Sequence, residues 1–569
     1  MAFSLCWGMS LAQDTIERRR PGVDTAPPTL PQEAKPRPPM VERESLPVDD
    51  RWRIMKSLEL LPYRTFDPYN PNVLKGDLPL EDGPFKGWFL NLTAVSDTLL
   101  ELRRLPTPTA PQATQGPSSG PFAVGRQAVL AETLIMSLAL VKGDTVFRPP
   151  DYELRVVPVV SLNRAEAEER RALSANPDHG KARNDDFVGL QELFVDKHLR
   201  DVSANYDFDS VRVGVQPFNA DFRGFLFVDQ PFGVRLFGTR EANRWQYNAA
   251  WFRRVEKDTN SGLNDLAQRL RADDVYAFNL YRQDWPVLGF TSQAIVLHNR
   301  NSEGERGQYL NDNGFVERPA VLGAARPRSY EVTYLGANGD GHFGRWNLSA
   351  SAYHAFGDEE RGQLSGRSER IAAWFGAGEL SRDFDWVRLR LHGAYASGDR
   401  NPFDGKAQGF DAVLENPSIA GADTSYWIRQ SVPLIGGGGV ALAIRNGMLA
   451  SLRTSREHGQ SNFTNPGLRL LGVGADLDLA PELRLIANLN HIAFDHLSSL
   501  AALRNQKLSS GDIGWDLSAG VQYRPFFTQN LVMNASLAVL FPDDGLRELY
   551  GNALDKTQYS ALLNMVLTF

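Results

Sequence analysis

The last eleven residues, 559–569 (YSALLNMVLTF), decide the fold that the rest of the chain must share. Every second residue is apolar and forms one face of an extended strand: Tyr559, Ala561, Leu563, Met565, Leu567 and Phe569. The other face is mixed: Ser560, Leu562, Asn564, Val566 and Thr568. One apolar and one mixed face are typical of a strand between lipid and a polar lumen. The stretch predicts a membrane-spanning strand, with an ordinary sheet edge as the alternative.

A strand that ends on the chain's own terminal Phe569 resembles the C-terminal signal of bacterial outer-membrane β-barrels. This resemblance implies two partners. One is the lipid of the outer membrane, and the other is the barrel-insertion machinery, which reads such a strand.

The same two-residue alternation recurs in five further segments: 245–251, 387–395, 483–490, 515–524 and 531–541. Aromatic residues stand near their ends, like the interfacial girdles of membrane barrels. Strand plus connection repeats every ~20 to 28 residues, whereas the turns of a soluble β-sandwich recur every 8 to 12. We therefore predict an all-β, antiparallel transmembrane barrel over residues 87–569, with about 18 strands and 16 as the alternative. Trp515, Leu517, Val521 and Phe569 are expected on its outer surface.

The first strands of this barrel are predicted at 87–104, 126–143 and 152–164, where long extended segments alternate with Pro, Gly, Ser and Thr connections. Residues 165–186 are predicted to form a polar loop with a helical turn. Residues 415–430 belong to a long loop that either folds inward and constricts the lumen or stays at the surface.

Composition narrows the possible functions. The 569 residues are 42% hydrophobic with a mean hydropathy of −0.33, and no run of about 18 apolar residues spans a bilayer as a helix. The net charge of −7 argues against a nucleic-acid partner. Only 11 of the 61 basic residues are lysine, a bias that suits fixed guanidinium groups on a pore wall or reflects genomic composition. The single cysteine, Cys6, excludes a thiolate site in the rest of the chain.

The N-terminal part is predicted to lie outside the barrel. Residues 1–12 resemble the end of a secretory signal peptide with a Ser-Leu-Ala cleavage site, either truncated or weak because a basic start is missing. Residues 13–50 are Pro-rich and charged, which predicts a disordered periplasmic arm that a periplasmic partner could bind. Residues 51–86 are expected to form a periplasmic or plug-like segment.

One stretch resembles a known family. The segments GLQELFVDKHLRDV (189–202) and YDFDSVRVGVQPFNADFRGFLFVDQPFGVRLFG (206–238) are similar to the alginate-export-like porins. The matching residues are Leu190, Glu192, Phe194, Val195, Asp196, Arg212, Gly214 and Gln216. Val215 departs from the family's usual arginine. The resemblance implies passive diffusion of small anionic or polyhydroxylated solutes.

The predicted pore-lining residues face inward in the alternating pattern: Arg212, Arg235, Arg388, Arg390, His392, Arg484, Asn488 and Asp516. In a water-filled lumen these arginines would favour anions. Alternatively they pair with acids on neighbouring strands and stabilise the wall. The acids considered are Glu192, Asp196, Asp209, Asp476, Asp478 and Asp516.

Two functions fit this pattern. The first is an outer-membrane channel, and the alternative is a structural barrel that sheathes or anchors an envelope partner. An energy-coupled receptor is excluded because its plug and its ~22 strands need more residues. No cofactor, metal or catalytic group is expected. His354 beside 358–360 and His491 near Ser498 lack the geometry of a protease or a phospholipase site.

Overall fold

The computed structural model describes residues 58, 64–67, 72–108, 122–143, 149–205, 207–318, 326–425, 431–433, 439–441, 459–525, 529–554 and 557–569. The predicted leader (1–12) and the predicted arm (13–50) lie outside the described residues. No helix in the described part of the chain is long and apolar enough to cross a membrane.

In the part of the chain that the structure describes, eighteen long strands pair in chain order as antiparallel neighbours, and the last pairs with the first. They are β1 (Phe89–Pro108), β2 (Phe122–Lys142), β3 (Tyr152–Ala167), β4 (Ala182–Asp201), β5 (Phe208–Val215), β6 (Phe232–Arg240), β7 (Trp245–Arg253), β8 (Asp273–Arg282), β9 (Phe290–Asn301), β10 (Tyr330–Phe343), β11 (Trp346–Glu359), β12 (Glu369–Phe384), β13 (Val387–Ala396), β14 (Leu468–Ala480), β15 (Leu483–Ala493), β16 (Asp512–Tyr523), β17 (Leu531–Pro542) and β18 (Gln558–Thr568). The predicted closed barrel of 18 strands is confirmed, and the alternative of 16 is wrong.

Closure follows from the final strand. Val95 pairs with Thr568 and Arg104 with Tyr559, so this edge is paired over residues 559–568, as lipid requires of a spanning strand. The start of β1 and the end of β18 lie at the same rim of the barrel, which is called the short-turn end. This rim carries the tight connections at 241–244, 344–345, 385–386 and 481–482, whereas the opposite rim, the long-loop end, carries connections such as 397–467.

The outer surface is apolar between two rows of exposed aromatic side chains, as expected where strands meet lipid. Trp515, Leu517 and Val521 on β16 are exposed as predicted, whereas Phe569, which directly follows β18, is half-buried. The row at the long-loop end comprises Tyr276, Phe356, Trp374, Tyr395, Trp515 and Phe541. The row at the short-turn end comprises Trp285, Phe343, Trp346, Phe384, Trp386 and Tyr523.

The prediction of a polar loop over 165–186 was too long. β3 continues to Ala167 and β4 starts at Ala182, with Glu166 paired to Ala182. Their outward residues are polar here because the strands extend beyond the apolar band, and Arg164 pairs with Glu166 at 2.5 Å. The helical turn is a 3-10 turn at Pro177–His179.

Short elements occupy the connections. The strand Lys75–Pro79, within the predicted 51–86 segment, adds to β1 at the short-turn end. The described residues include the helices α1 (Ser498–Arg504) and α2 (Asp544–Tyr550), with 3-10 turns at Glu303–Arg306 and Gly551–Leu554. The remaining short strands are Phe218–Asn219, Val228–Asp229, Tyr309–Leu310, Val316–Arg318, Lys406–Ala407, Ser431–Pro433 and Gly439–Ala441.

Two connections fold into the barrel rather than away from it. The first inward loop is residues 216–231, and the second inward loop is residues 397–425. Their aromatic side chains pack on the inner wall. In the first loop, Phe218 lies 4.7 Å from Phe252 and Phe225 lies 5.1 Å from Phe375 between ring centroids; in the second, Phe410 lies 5.0 Å from Phe375. A buried apolar cluster therefore fills part of the lumen on the long-loop side.

Candidate functional site in the barrel lumen

The strand register places the predicted site residues on the inner wall. Leu389, Leu391 and Tyr395 are exposed on the outside of β13, so Arg388, Arg390 and His392 on the alternate face point inward. Residues that are register partners on adjacent strands point to the same side of the sheet. The inner wall thus includes Arg212 (β5), Arg235 (β6), Arg484 and Asn488 (β15) and Asp516 (β16).

Most of these arginines pair with carboxylates of neighbouring strands or turns. Arg390 Nη2 lies 2.8 Å from Asp476 Oδ1, and Arg484 Nε lies 2.7 Å from Asp478 Oδ1. Arg388 Nε lies 2.5 Å from Asp383 Oδ1. Ion pairing, the alternative considered from the sequence, is therefore present along this wall, and it weakens the positive field in the lumen.

A second group of inward charges lies on the opposite side, on β4 to β6. Arg212 Nη2 binds Asp196 Oδ2 at 2.8 Å. Arg235 differs because its Nε donates to the amide oxygen of Asn248 at 2.7 Å, and its guanidinium lies 4.8 Å from the Phe237 ring centroid. The direct contacts that hold Arg235 are thus with neutral groups.

Accessibility falls along β13 from the short-turn end inward. The side chain of Arg388 is 39% exposed, that of Arg390 is 11% exposed, and His392 is 1% exposed. Asp383 and Asp340, near the short-turn rim, are 50% and 44% exposed. The lumen is therefore a charged vestibule that opens at the short-turn end and narrows toward the two inward loops.

The first inward loop is organised by one carboxylate. Asp221 Oδ1 accepts hydrogen bonds from the backbone N–H groups of residues 223, 224 and 225, and Oδ2 accepts one from residue 226. The Tyr353 hydroxyl on β11 donates to Oδ2 at 2.9 Å. Complete burial raises the pKa of Asp221, and the hydrogen bonds oppose this rise. Asp221 fixes both the shape of the loop and its position on the wall.

The second inward loop is joined to the first by backbone hydrogen bonds. Leu414 N–H donates to Leu226 O at 3.3 Å, Val228 N–H to Leu414 O at 2.8 Å, and Asn416 N–H to Gly224 O at 2.8 Å. Of the two alternatives for residues 415–430, the inward fold is the one observed for the described part, 415–425; residues 426–430 lie outside the described residues.

The second inward loop packs on the wall where three predicted site residues lie. Asn488 Nδ2 donates to Thr424 Oγ1 at 3.1 Å, and Asp516 Oδ1 accepts from Ser425 Oγ at 2.7 Å. His392 Nε2 lies 2.6 Å from Asn490 Oδ1. All three side chains are buried. In this structure they hold the loop or the wall.

Arg223 connects the loop with the wall charges. Its Nη2 lies 3.4 Å from Glu379 Oε1 and its Nε lies 3.6 Å from Asp340 Oδ2. Arg390 Nη1 lies 3.7 Å from the other oxygen of Glu379, so one carboxylate joins two arginines. Arg223, Glu379 and Asp221 were not predicted from the sequence. The Gln-Pro at 216–217 and Gly224 are signs of a turn, but they do not say that it folds inward.

The residues that resemble the porin motif meet at the base of the first inward loop. Asp196 pairs with Arg212, and Gln216 Nε2 donates to Gly233 O at 3.1 Å. Gly214 has a φ of +130°, and a Cβ there would lie 2.2 Å from the Leu193 carbonyl oxygen. The motif thus shapes the wall where the chain leaves β5.

The two histidines considered for catalysis lie on the outside of the barrel. His354 stacks on the exposed Trp374 ring at 4.0 Å, and His491 lies 4.9 Å from Trp515. Neither faces the lumen. Within the described ranges, no group of three or more His, Cys, Asp or Glu side chains could hold a metal ion.

The sequence matches no protein-family model and no curated protein. Solved structures similar to this chain include three Pseudomonas aeruginosa proteins. OccK5 (OpdH) is 10% identical with a TM-score of 0.41, and it covers 84% of this chain and 98% of its own. OpdK, crystallised with vanillate, is 12% identical with a TM-score of 0.44 over 84% and 98%. OccK2 (OpdF), in complex with glucuronate, is 13% identical with a TM-score of 0.44 over 84% and 97%. The fold assignment rests on the register of this chain itself.

Proposed function

We propose that this chain is a bacterial outer-membrane channel that passes small anionic solutes by passive diffusion. The carrying observation is the combination of an apolar outer surface with a charged vestibule that narrows at the two inward loops. A closed barrel is one of two structures that satisfy every backbone group in lipid. Its charged interior supplies a path for hydrated solutes.

Arginine side chains on opposite walls support the choice of anions. Arg235 and Arg212 lie on one side, and Arg388 and Arg390 lie on the other. A guanidinium is always charged and binds a carboxylate with two parallel hydrogen bonds. Because Asp196, Asp383 and Asp476 compensate much of this charge, the preference is mild rather than absolute.

The resemblance of 189–238 to alginate-export-like porins supports a finer proposal, namely that polyhydroxylated acids are among the solutes. Glu379 and Asp340 beside Arg223 give hydroxyl groups acceptors next to a cation. A monocarboxylate bearing several hydroxyls would use both kinds of group.

The test is single-channel recording in planar bilayers with the purified full chain. Stepwise conductance, reduced by millimolar gluconate more than by equally concentrated glucose, is the expected result. A barrel that inserts and shows no conductance steps would exclude a channel. It would favour the alternative of a structural barrel, which the apolar packing of the inward loops against the wall supports.

A further inference from the structure

A row of polar side chains crosses the inner wall near the short-turn end, on β14 to β18. Its members are register partners on adjacent strands: Asp478, Arg484, Gln522, Asn534 and Asn564. Val521 and Tyr523, on either side of Gln522, are exposed on the outside of β16, so the row faces the lumen. Gln522, Asn534 and Asn564 are called the amide row below.

The amide row is part of a chain of hydrogen bonds that runs in one direction. Arg524 Nη2 donates to Gln522 Oε1 at 2.7 Å, and Gln522 Nε2 donates to Asn534 Oδ1 at 3.2 Å. Asn534 Nδ2 donates to Asn564 Oδ1 at 3.2 Å, and Asn564 Nδ2 donates to Asp97 Oδ1 at 2.6 Å. The two ends fix the direction, because a guanidinium only donates and a carboxylate only accepts. Each amide is therefore held in one orientation.

Two of the amides keep one donor and one acceptor for a ligand. A carboxamide has two N–H donors and two acceptor lone pairs. In bonds to described residues, Gln522 and Asn534 each use one of either kind. Asn564 also donates to Thr98 O at 3.1 Å, so it offers only an acceptor. A hydroxyl group, which both donates and accepts, matches Gln522 and Asn534.

Arg484 places a cation beside the amide row. Its Nε donates to Asp478 Oδ1 at 2.7 Å, and its side chain is 38% exposed. Among the described residues, none accepts a hydrogen bond from its Nη groups. A guanidinium binds a carboxylate through two parallel N–H bonds. Because adjacent strands lie about 4.8 Å apart, Arg484 and Asn534 are about 10 Å apart along the row, a span that a six-carbon acid covers with its hydrogen bonds.

The amide row lies directly below the second inward loop, on the side of the short-turn end. One level further in, a Cβ on Gly520 would lie 2.7 Å from Thr424 Cγ2 of that loop. Two levels further in, Ser518 is buried, with its Oγ 2.7 Å from Thr424 Oγ1. The three amides are half-buried instead. The amide row is thus the first level of this wall that the loop leaves open to the vestibule.

We propose that Arg484 and the amide row bind a hydroxylated monocarboxylate, a sugar acid, at the short-turn end of the lumen. The carboxylate takes the Nη groups of Arg484, and the hydroxyls take the remaining donors and acceptors of Gln522 and Asn534. This inference rests on the proposed function for the class of solute, and it adds a site distinct from the charges around Arg223.

Equilibrium binding to the purified full chain tests the site without relying on conduction. Saturation-transfer NMR titrations in a detergent without sugar head groups give dissociation constants for gluconate, butyrate and glucose. Butyrate has the carboxylate without hydroxyls, and glucose has hydroxyls without the charge. Gluconate should bind at least tenfold more tightly than either. Equal dissociation constants for gluconate and butyrate would overturn the proposal.

Substitutions locate the site on the wall. Gln522→Leu and Asn534→Leu should each weaken gluconate binding about three- to tenfold, the range for one neutral hydrogen bond, and leave butyrate binding unchanged. Arg484→Gln should weaken both. Gln246→Leu is the matched control, because Gln246 is half-buried on the inner face of β7, on the opposite wall, and donates to Asn243 Oδ1. It should change neither.

The outcomes separate this site from the proposed function. Heat-modifiable Gln522→Leu and Asn534→Leu barrels that bind gluconate like the unchanged chain would overturn the site. The same holds for a Gln246→Leu barrel that loses as much affinity as they do. Gluconate binding in the expected pattern without conductance steps in bilayers would refute the channel and keep the site. Conductance without preferential gluconate binding would do the reverse.

Discussion

The hydroxyl of Tyr353 on β11 donates a hydrogen bond to Asp221 at 2.9 Å inside the barrel. This bond joins the wall to a carboxylate that already binds four backbone N–H groups of the first inward loop. Because the second inward loop is bonded to the first through Leu226 and Leu414, the position of both loops depends on Asp221. The width of the lumen is thus set by a buried polar anchor.

Asp221→Asn should loosen the inward loops. The amide NH₂ that replaces Oδ2 would face the Leu226 N–H, and an unsatisfied buried donor costs about 1 to 3 kcal/mol. The Tyr353 hydroxyl would lose its acceptor on residue 221 and donate to Asn338 Oδ1, 2.8 Å away, alone. We expect larger and noisier single-channel conductance. Tyr353→Phe is the matched control: it removes one of these donors and should have a smaller effect. Equal conductance in all three proteins would show that the apolar packing holds the loops without Asp221.

The barrel could be predicted from the sequence because lipid requires every backbone polar group of a spanning strand to be paired. Alternation over 515–524 and 531–541 showed which side chains face outward, and closure by 559–569 followed from the need to pair every backbone group. Both conclusions depend on local period and length. They agree with the register of β16, β17 and β18.

The site was harder to predict because it depends on contacts between distant parts of the chain. Nothing near Asn488 or Asp516 in the sequence shows that Thr424 and Ser425 return to bind them, more than 60 residues before them in the chain. Arg223 reaches Glu379 in the same way. Parity along a strand predicts which face a residue occupies, but it does not predict what folds over it.

Neutralising Arg388 and Arg390 together, as Arg388→Gln with Arg390→Gln, should shift the channel toward cations. The two lie on one face of β13, and their neutralisation removes a cation from beside Asp383, Asp476 and Glu379, of which Glu379 keeps its ion pair with Arg223. Fixed charges act within about a Debye length, roughly 8 Å at physiological salt. The measurement is reversal potential under a salt gradient.

Arg382→Gln provides the control for this change. Arg382 lies on β12 but faces outward, with its guanidinium 5.2 Å from the Trp346 ring centroid, and it should leave the reversal potential unchanged. A native channel that already prefers cations, or no shift in the double variant, would mean that Arg388 and Arg390 serve the wall alone.

Phe569→Asp should reduce the amount of barrel in the outer membrane. In the folded chain, Phe569 N–H donates to Ala94 O at 2.8 Å, and Lys75 Nζ lies 4.2 Å from the Phe569 ring centroid. A carboxylate at 569 would therefore have a cation nearby once folded, so a loss points to assembly rather than to final stability. Heat-modifiable barrel in membrane fractions is the readout, with Phe569→Tyr as the control. Wild-type levels of Phe569→Asp would refute the role of the terminal residue.

Asp399, in the second inward loop just after β13, should make stability depend on pH. Burial, together with the nearby Glu369 and Asp404 and against a hydrogen bond from the Asn401 N–H, raises its pKa to about 7. In the unfolded chain Asp399 ionises near its ordinary pKa of about 3.9. Below that pH both states hold the proton. Between about 4 and 7 only the folded state does, so ionisation favours the unfolded chain increasingly as pH rises, and above about 7 the penalty is constant.

The Asp399→Asn amide resembles the protonated carboxyl group and keeps the acceptor for Asn401. We expect its unfolding temperature in detergent, followed by heat-modifiability, to match that of the unchanged chain near pH 4 and to exceed it by a growing margin up to about pH 7. A margin that is the same at every pH would show that Asp399 ionises alike in both states.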